Sequence, residues 1–189
     1  MHKFISIKDI DSIYFDSCSG CLENCCNGKN FKLIPLILDD FVEVYENFKI
    51  YFAKLEDYFT PVMQLAEDDS GCKYFKNSIC TIYEKRPPGC RLYPISPYFD
   101  DILVDLSCKA VGNQGEFLAS KDKISSNFYH KRLENFNKKR VETINFTQSL
   151  KDDLILEKTL SNIELYIYNK KIDNIYIKMH QKSLEKTNF

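Results

Sequence analysis

Apolar residues recur in steps of three and four over 41–59: Phe41, Val44, Tyr45, Phe48, Phe52, Leu55 and Phe59. That period predicts an amphipathic helix. Asp40, three residues before Glu43, supplies a capping box to open it. An aromatic stripe of this kind is ordinarily core, and here it reads as a helix covering the cysteine-bearing part of the chain. Just before it, FKLIPLIL (31–38) is a short apolar run interrupted by Pro35, the pattern of an edge strand. PVMQLA (61–66) predicts another strand, and the segment from Cys72 to Cys80 predicts two short strands turning at Asn77-Ser78. Pro87, Pro88, Pro94 and Pro97 predict a stiff loop without regular structure. ILVDLSC (102–108) predicts a further strand, paired across Asp100-Asp101 or with an earlier segment.

From about residue 120 the texture changes. Ile124, Phe128, Leu133, Phe136, Val141 and Ile144 trace one helical face; Leu150, Leu154, Leu160 and Ile163 trace a second; Ile172, Ile175, Tyr176 and Met179 trace a third. No Gly or Pro follows Gly115, which favours long helices over loops. The expected architecture is therefore α+β: a small cysteine-rich domain over 1–118 and a helical C-terminal extension over 119–189.

Charge supports a division. Residues 1–119 carry 12 basic against 18 acidic side chains, a balance of −6, and 120–189 carry 14 against 9, a balance of +5. The net of −1 gives no overall pull towards nucleic acid, and no helix bears the clustered Lys/Arg that phosphate contacts need. The first residues, MHKFISIKDIDSIYF, carry charges where a signal peptide has its apolar core, and no apolar run approaches the length of a membrane helix. The expectation is a cytoplasmic protein, where thiols are kept reduced.

Eight cysteines then call for explanation, all lying between residues 18 and 108. A disulfide framework fits poorly with a reducing compartment. Scattered small hydrophobes fit poorly with the clustering of Cys18, Cys21, Cys25 and Cys26 in nine residues. Thiolates are natural ligands for zinc, iron and iron–sulfur clusters, and closely spaced pairs lower the entropy of assembling a site. The later group, Cys72, Cys80, Cys90 and Cys108, complements the earlier four. A single four-cysteine site leaves four over, so the count favours more than one ion, or a cluster plus an ion. Arg86 and Arg91 stand beside these cysteines, either as hydrogen-bond donors to sulfur that offset the thiolate charge, or as ordinary ion-pair partners of Glu84 or Asp105. Tyr83 and Tyr93 read as core side chains with one polar handle. His2, His130 and His180 lie outside the cysteine region and read as surface or helix residues rather than ligands.

Motifs for other chemistries are missing. There is no HExxH, no deaminase H-x-E with P-C-x-x-C, and neither GxGxxG nor a P-loop. The C-x2-C-x3-C order also differs from the C-x3-C-x2-C of radical enzymes that cleave S-adenosylmethionine.

Cys18-x2-Cys21-x3-Cys25-Cys26, together with CTIYEKRPPGCRLYP (80–94) and the closing Cys108, resembles the YkgJ-type cysteine-cluster family, described as zinc- or iron-chelating domains. The resemblance covers residues 15–115, with Cys72 on the cysteine that opens the family's middle segment. It implies a small mixed α/β domain whose eight cysteines chelate metal. A related group with the same cluster is associated with flagellin lysine N-methylation and an iron–sulfur centre, and has a much longer C-terminal region. The expectation is thus a protein binding zinc, iron or an iron–sulfur cluster, with more than one metal ion, and acting through a protein partner. The alternatives are a metal-dependent enzyme modifying a protein side chain and a thiol redox or metal-storage protein.

Overall fold

A computed structural model describes residues 3–17, 25, 31–121, 123–127 and 131–185. The fold is α+β. Two compact units share the chain discontinuously, one formed by Met1–Asn27 and Tyr74–Asn137, the other by Gly28–Lys73 and Lys138–Phe189. The chain therefore passes between units at three places, none of them at the 118/119 boundary expected from composition. Among the described residues no helix is long and apolar enough to cross a membrane.

In the first unit, strand Asp101–Asp105 lies between Phe4–Ser6 and Ile95–Tyr98, antiparallel to both. Both expected pairings of this strand thus occur together. A second sheet has the order Val111–Gly112, Ile13–Phe15, Glu116–Ser120, Lys123–Ile124. Ile7, Ile10, Leu92, Ile95, Val104, Leu118 and Ala119 form the core of this unit. Gly115 is required where the chain turns back towards Ile13–Phe15. Its φ is +100°, and an added Cβ would lie 2.3 Å from the carbonyl oxygen of Phe15. The small hairpin Phe75–Lys76/Ile79–Cys80 turns at Asn77-Ser78 as expected, both residues having positive φ.

The proline-rich stretch is more regular than expected. Pro88 opens a short helix, Pro88–Leu92, at the one position where its missing N–H costs nothing. Pro97 sits in Ile95–Tyr98, an edge strand that leaves one side of its backbone without a sheet partner.

The second unit is built on a five-stranded antiparallel sheet ordered Ile155–Leu160, Ile163–Ile167, Ile50–Leu55, Tyr58–Gln64, Leu33–Pro35. Leu33–Pro35 is an edge strand, as Pro35 predicts, and 61–66 contributes to a strand. The long helix expected over 41–59 is not formed. Only Phe41–Val44 is α-helical, following a 3₁₀ turn at Leu38–Asp40, and Ile50–Leu55 is a strand. The reason is burial on both faces. Tyr51 and Ala53 pack with Val62 and Leu165, while Phe52 packs with Leu150, Tyr168 and Ile177. A strand buried on both sides has no polar alternation to reveal it. Asp40 does cap, but it serves the preceding turn: its carboxylate accepts the Ile37 N–H at 2.9 Å.

The second expected helical face, Leu150 to Ile163, is likewise corrected. Ile155–Leu160 and Ile163–Ile167 form a hairpin, so the region after 118 is not wholly helical. The turn at Ser161-Asn162 has φ of 52° and 64°, a left-handed conformation reached without glycine. The two helices that do form are Phe136–Ser149 and Ile175–Leu184. The fully buried positions of both fall off the stripes read from sequence, although Tyr176 of the third stripe meets the rings of Phe41 and Phe146, and Phe128 of the first stripe lies outside the described residues. Val141 is 49% exposed, whereas Thr143 and Thr147 are buried. The Thr143 hydroxyl accepts the Leu38 N–H at 3.1 Å, and that of Thr147 donates to the Phe59 carbonyl at 2.6 Å.

The last helix, capped by the Asn174 side chain, buries Ile177, His180 and Ser183. Leu165 pairs with Ala53 and Tyr166 with Phe52, so the same register places Tyr168 opposite Ile50. There the imidazole of His180 replaces a rung of the ladder. Nε2 accepts the Tyr168 N–H at 3.0 Å, and Nδ1–H donates to the Ile50 carbonyl at 2.9 Å. Ser183 Oγ accepts the Ile50 N–H at 3.0 Å. His180 is thus a helix residue, as expected, but a fully buried one rather than a surface one.

Burial pulls the His180 pKa down to about 4, partly opposed by the bond to Ile50. A depressed histidine pKa stabilises the fold above the unfolded value of about 6.5 and loses that contribution as pH falls towards 4. The expected loss between pH 7 and pH 5 is about 2 kcal/mol. Urea unfolding of wild type and His180→Leu at both pH values checks it. The variant is less stable at pH 7, and the gap narrows by about that amount at pH 5.

Candidate cysteine site

The expected ligands divide between the units. Cys25, Cys80, Cys90 and Cys108 belong to the first, and Cys72, which is buried, belongs to the second. Cys18, Cys21 and Cys26 lie outside the described residues, as do His2 and His130. Among the described residues, none of Cys25, Cys72, Cys80, Cys90 and Cys108 is joined to another as a disulfide. No three His, Cys, Asp or Glu side chains gather into a metal-holding group among the described residues.

Cys80, Cys90 and Cys108 are each set by a short local device. Cys80 ends a two-residue strand opposite Phe75, and both the N–H and the hydroxyl of the next residue, Thr81, donate to the Tyr74 carbonyl, at 2.8 and 3.0 Å. Cys90 lies in the helix Pro88–Leu92, which Pro87 and Pro88 start and which the Arg91 N–H to Pro87 carbonyl bond closes at 3.0 Å. A cis peptide then joins Tyr93 to Pro94.

Cys108 follows the end of strand Asp101–Asp105. The Asp105 N–H donates to the Pro94 carbonyl at 3.0 Å, and the Asp105 carbonyl accepts the Cys108 N–H at 3.2 Å. The Asp105 side chain is wholly buried. Its Oδ1 accepts from the Ser107 N–H at 2.9 Å and the Ser107 hydroxyl at 2.5 Å, while Oδ2 accepts from the Tyr93 hydroxyl at 3.1 Å.

Tyr93 is the point on which these pieces converge. Its phenol is pushed far above its ordinary pKa, first by burial and then by the negative charge of Cys108, Asp105 and Cys25. Cys25, Cys80, Cys90 and Cys108 come from separate parts of the chain into the same unit as Tyr93. Soft sulfur donors from separate segments, partly shielded from water, are a donor set suited to zinc or iron. The reading of Tyr93 as a half-buried ring with a polar handle agrees with its position. Sequence reasoning missed the role of Ser107 and the hydrogen bonds of Asp105. The signal was present in Asp105-Leu-Ser107-Cys108, where an Asp two residues before a Ser favours a side-chain-to-backbone turn.

The two arginines behave differently. Arg91 has its Nε shielded from solvent on the helix that carries Cys90. Arg86 meets Tyr83: its Nε donates to the Tyr83 carbonyl at 2.9 Å and its guanidinium lies 3.7 Å from the centre of the Tyr83 ring. Tyr83 is itself exposed rather than in the core. Stacking at an exposed ring contributes about 0.5–1 kcal/mol. Arg86→Ala is therefore expected to lower stability by about that much and to leave metal content unchanged, as urea unfolding and elemental analysis will measure.

No curated protein and no solved structure matches the chain. A family model does match it over residues 17–132, which hold all eight cysteines, under the description "CxxCxxCC: Putative zinc- or iron-chelating domain". This sequence has one residue more than that motif between its second and third cysteines. The match spans more than half of the chain and takes in its whole cysteine pattern: the protein belongs to the CxxCxxCC family.

Proposed function

We propose that this protein binds zinc or iron through Cys18, Cys21, Cys25, Cys26, Cys72, Cys80, Cys90 and Cys108, holds more than one metal ion, and acts by presenting a surface to a protein partner. The observation that carries the reading is the match of residues 17–132, which hold all eight cysteines, to a zinc- or iron-chelating family, with Cys25, Cys80, Cys90 and Cys108 in one compact unit. The four-cysteine run contributes Cys25 at the site, and its three other thiols lie within seven residues of it in sequence. A bound metal would supply positive charge to thiolates that otherwise repel one another, and Arg91 beside Cys90 would offset the excess negative charge of an all-thiolate shell. All-cysteine coordination leaves no open position for a reacting water, which favours a structural ion and a binding role.

The test is purification without air, followed by measurement of bound metal, acid-labile sulfide and the visible spectrum. Near-stoichiometric zinc in a colourless protein, or iron with or without sulfide in a coloured one, is the expected result. Wild-type protein that carries neither metal when all eight thiols are reduced would sink the reading. Cys25→Ser and Cys108→Ser are each expected to lower the bound metal by half or more. Because thiolate ligands compete with protons, the metal should also be released as pH falls.

A further inference from the structure

The cysteine region contains a carboxylate with a role distinct from ligation. A buried carboxylate beside thiols is unfavourable unless its oxygens are satisfied. Asp105, 0% exposed, is satisfied by groups that also shape the chain around Cys108. Ser107 gives Oδ1 two donors, its N–H and its hydroxyl, which folds the chain back immediately after the strand. The Asp105 carbonyl takes the Cys108 N–H, and the Cys108 carbonyl takes the Val111 N–H at 3.0 Å, so the cysteine lies between two successive tight turns. From the other side, the Tyr93 hydroxyl reaches Oδ2, and the Asp105 N–H bonds the carbonyl of Pro94. The segment leading from Cys90 is thereby tied to the turn that presents Cys108. Both attachments run through one residue.

We propose that Asp105, gripped by Ser107 and Tyr93, is a positioning residue for the cysteine site: it sets the turn that presents Cys108. The proposal rests on the chelation reading above, but it also has a consequence for the metal-free chain. With the clasp intact the Cys108 thiol is held in one arrangement, and with a donor removed it samples more. Groups that orient metal ligands commonly change affinity by about 10–100-fold when altered.

The experiment uses the full chain with cobalt(II) as the metal, comparing wild type with Tyr93→Phe, Ser107→Ala and Ser107→Thr. Affinity is read by chelator competition, and thiolate-to-cobalt absorption reports the ligand geometry. The alkylation rate of Cys108 in metal-free protein is read by peptide mass spectrometry. Tyr93→Phe and Ser107→Ala are expected to weaken cobalt binding ten-fold or more, alter the charge-transfer band and speed Cys108 alkylation several-fold relative to Cys72. Ser107→Thr, which keeps the hydroxyl, is expected to restore wild-type values. Thermal melts of the metal-free variants separate these effects from general unfolding, which would expose Cys72 equally. Unchanged affinity, spectrum and alkylation in folded Tyr93→Phe and Ser107→Ala would overturn the proposal. If wild type takes up no cobalt while Cys108 alkylation still rises in the variants, the clasp stands and the chelation reading falls.

Discussion

The ring of His180 stands where a backbone hydrogen bond would otherwise join Tyr168 to Ile50, and the second unit is organised around that substitution. A ladder broken in the interior would leave a buried N–H and a buried carbonyl without partners, a cost comparable to the net contribution of several ordinary hydrogen bonds. Neutral imidazole has one donor and one acceptor on opposite sides of a rigid ring, so it bridges the gap and at the same time fastens the last helix to the central strand. Thr143, Thr147 and Ser183 work in the same way, each giving or taking a hydrogen bond at a backbone group outside its own helix. The helices are attached by hydrogen bonds as much as by apolar contact.

The first unit solves a related problem at its cysteines. Asp105 accepts hydrogen bonds from Ser107, which close the turn leading to Cys108, and from Tyr93 on another segment. Charge and geometry are managed by the same carboxylate. The phenol that meets it is raised above its ordinary pKa first by burial and then by the negative charge around it, Asp105 included.

How much of this can be read from sequence depends on what makes each element form. Pro35 at an edge strand and Asn77-Ser78 at a turn are local devices, visible in a few residues, and both appear where expected. Ile50–Leu55 was illegible because both of its faces are buried, leaving aromatic spacing to imitate a helix. The hairpin through Ser161-Asn162 hides its turn in residues that adopt positive φ less readily than glycine. Helix Phe136–Ser149 could be placed approximately, but not its inward face, because buried threonines look polar until their backbone partners are known. The family was legible in the type and spacing of the cysteines, and Tyr93 in its character as a ring with a polar handle. The alliance of Asp105 with Tyr93 was not, since it joins residues on separate strands and turns.

The order of strands in the five-stranded sheet has a consequence for the growing chain during synthesis. Ile50–Leu55 can pair at once with Tyr58–Gln64, its hairpin partner, but its other neighbour, Ile163–Ile167, is made roughly a hundred residues later. At translation rates of about 5–20 residues per second, that is on the order of ten seconds. Throughout that interval the nascent sheet has an open edge and the apolar faces of Tyr51 and Phe52 lack their later cover, while the intervening residues build most of the cysteine unit. The first chance for the central strand to acquire its permanent neighbour comes only after the last cysteine has left the ribosome's active centre, so sheet closure is timed behind synthesis of the entire thiol set.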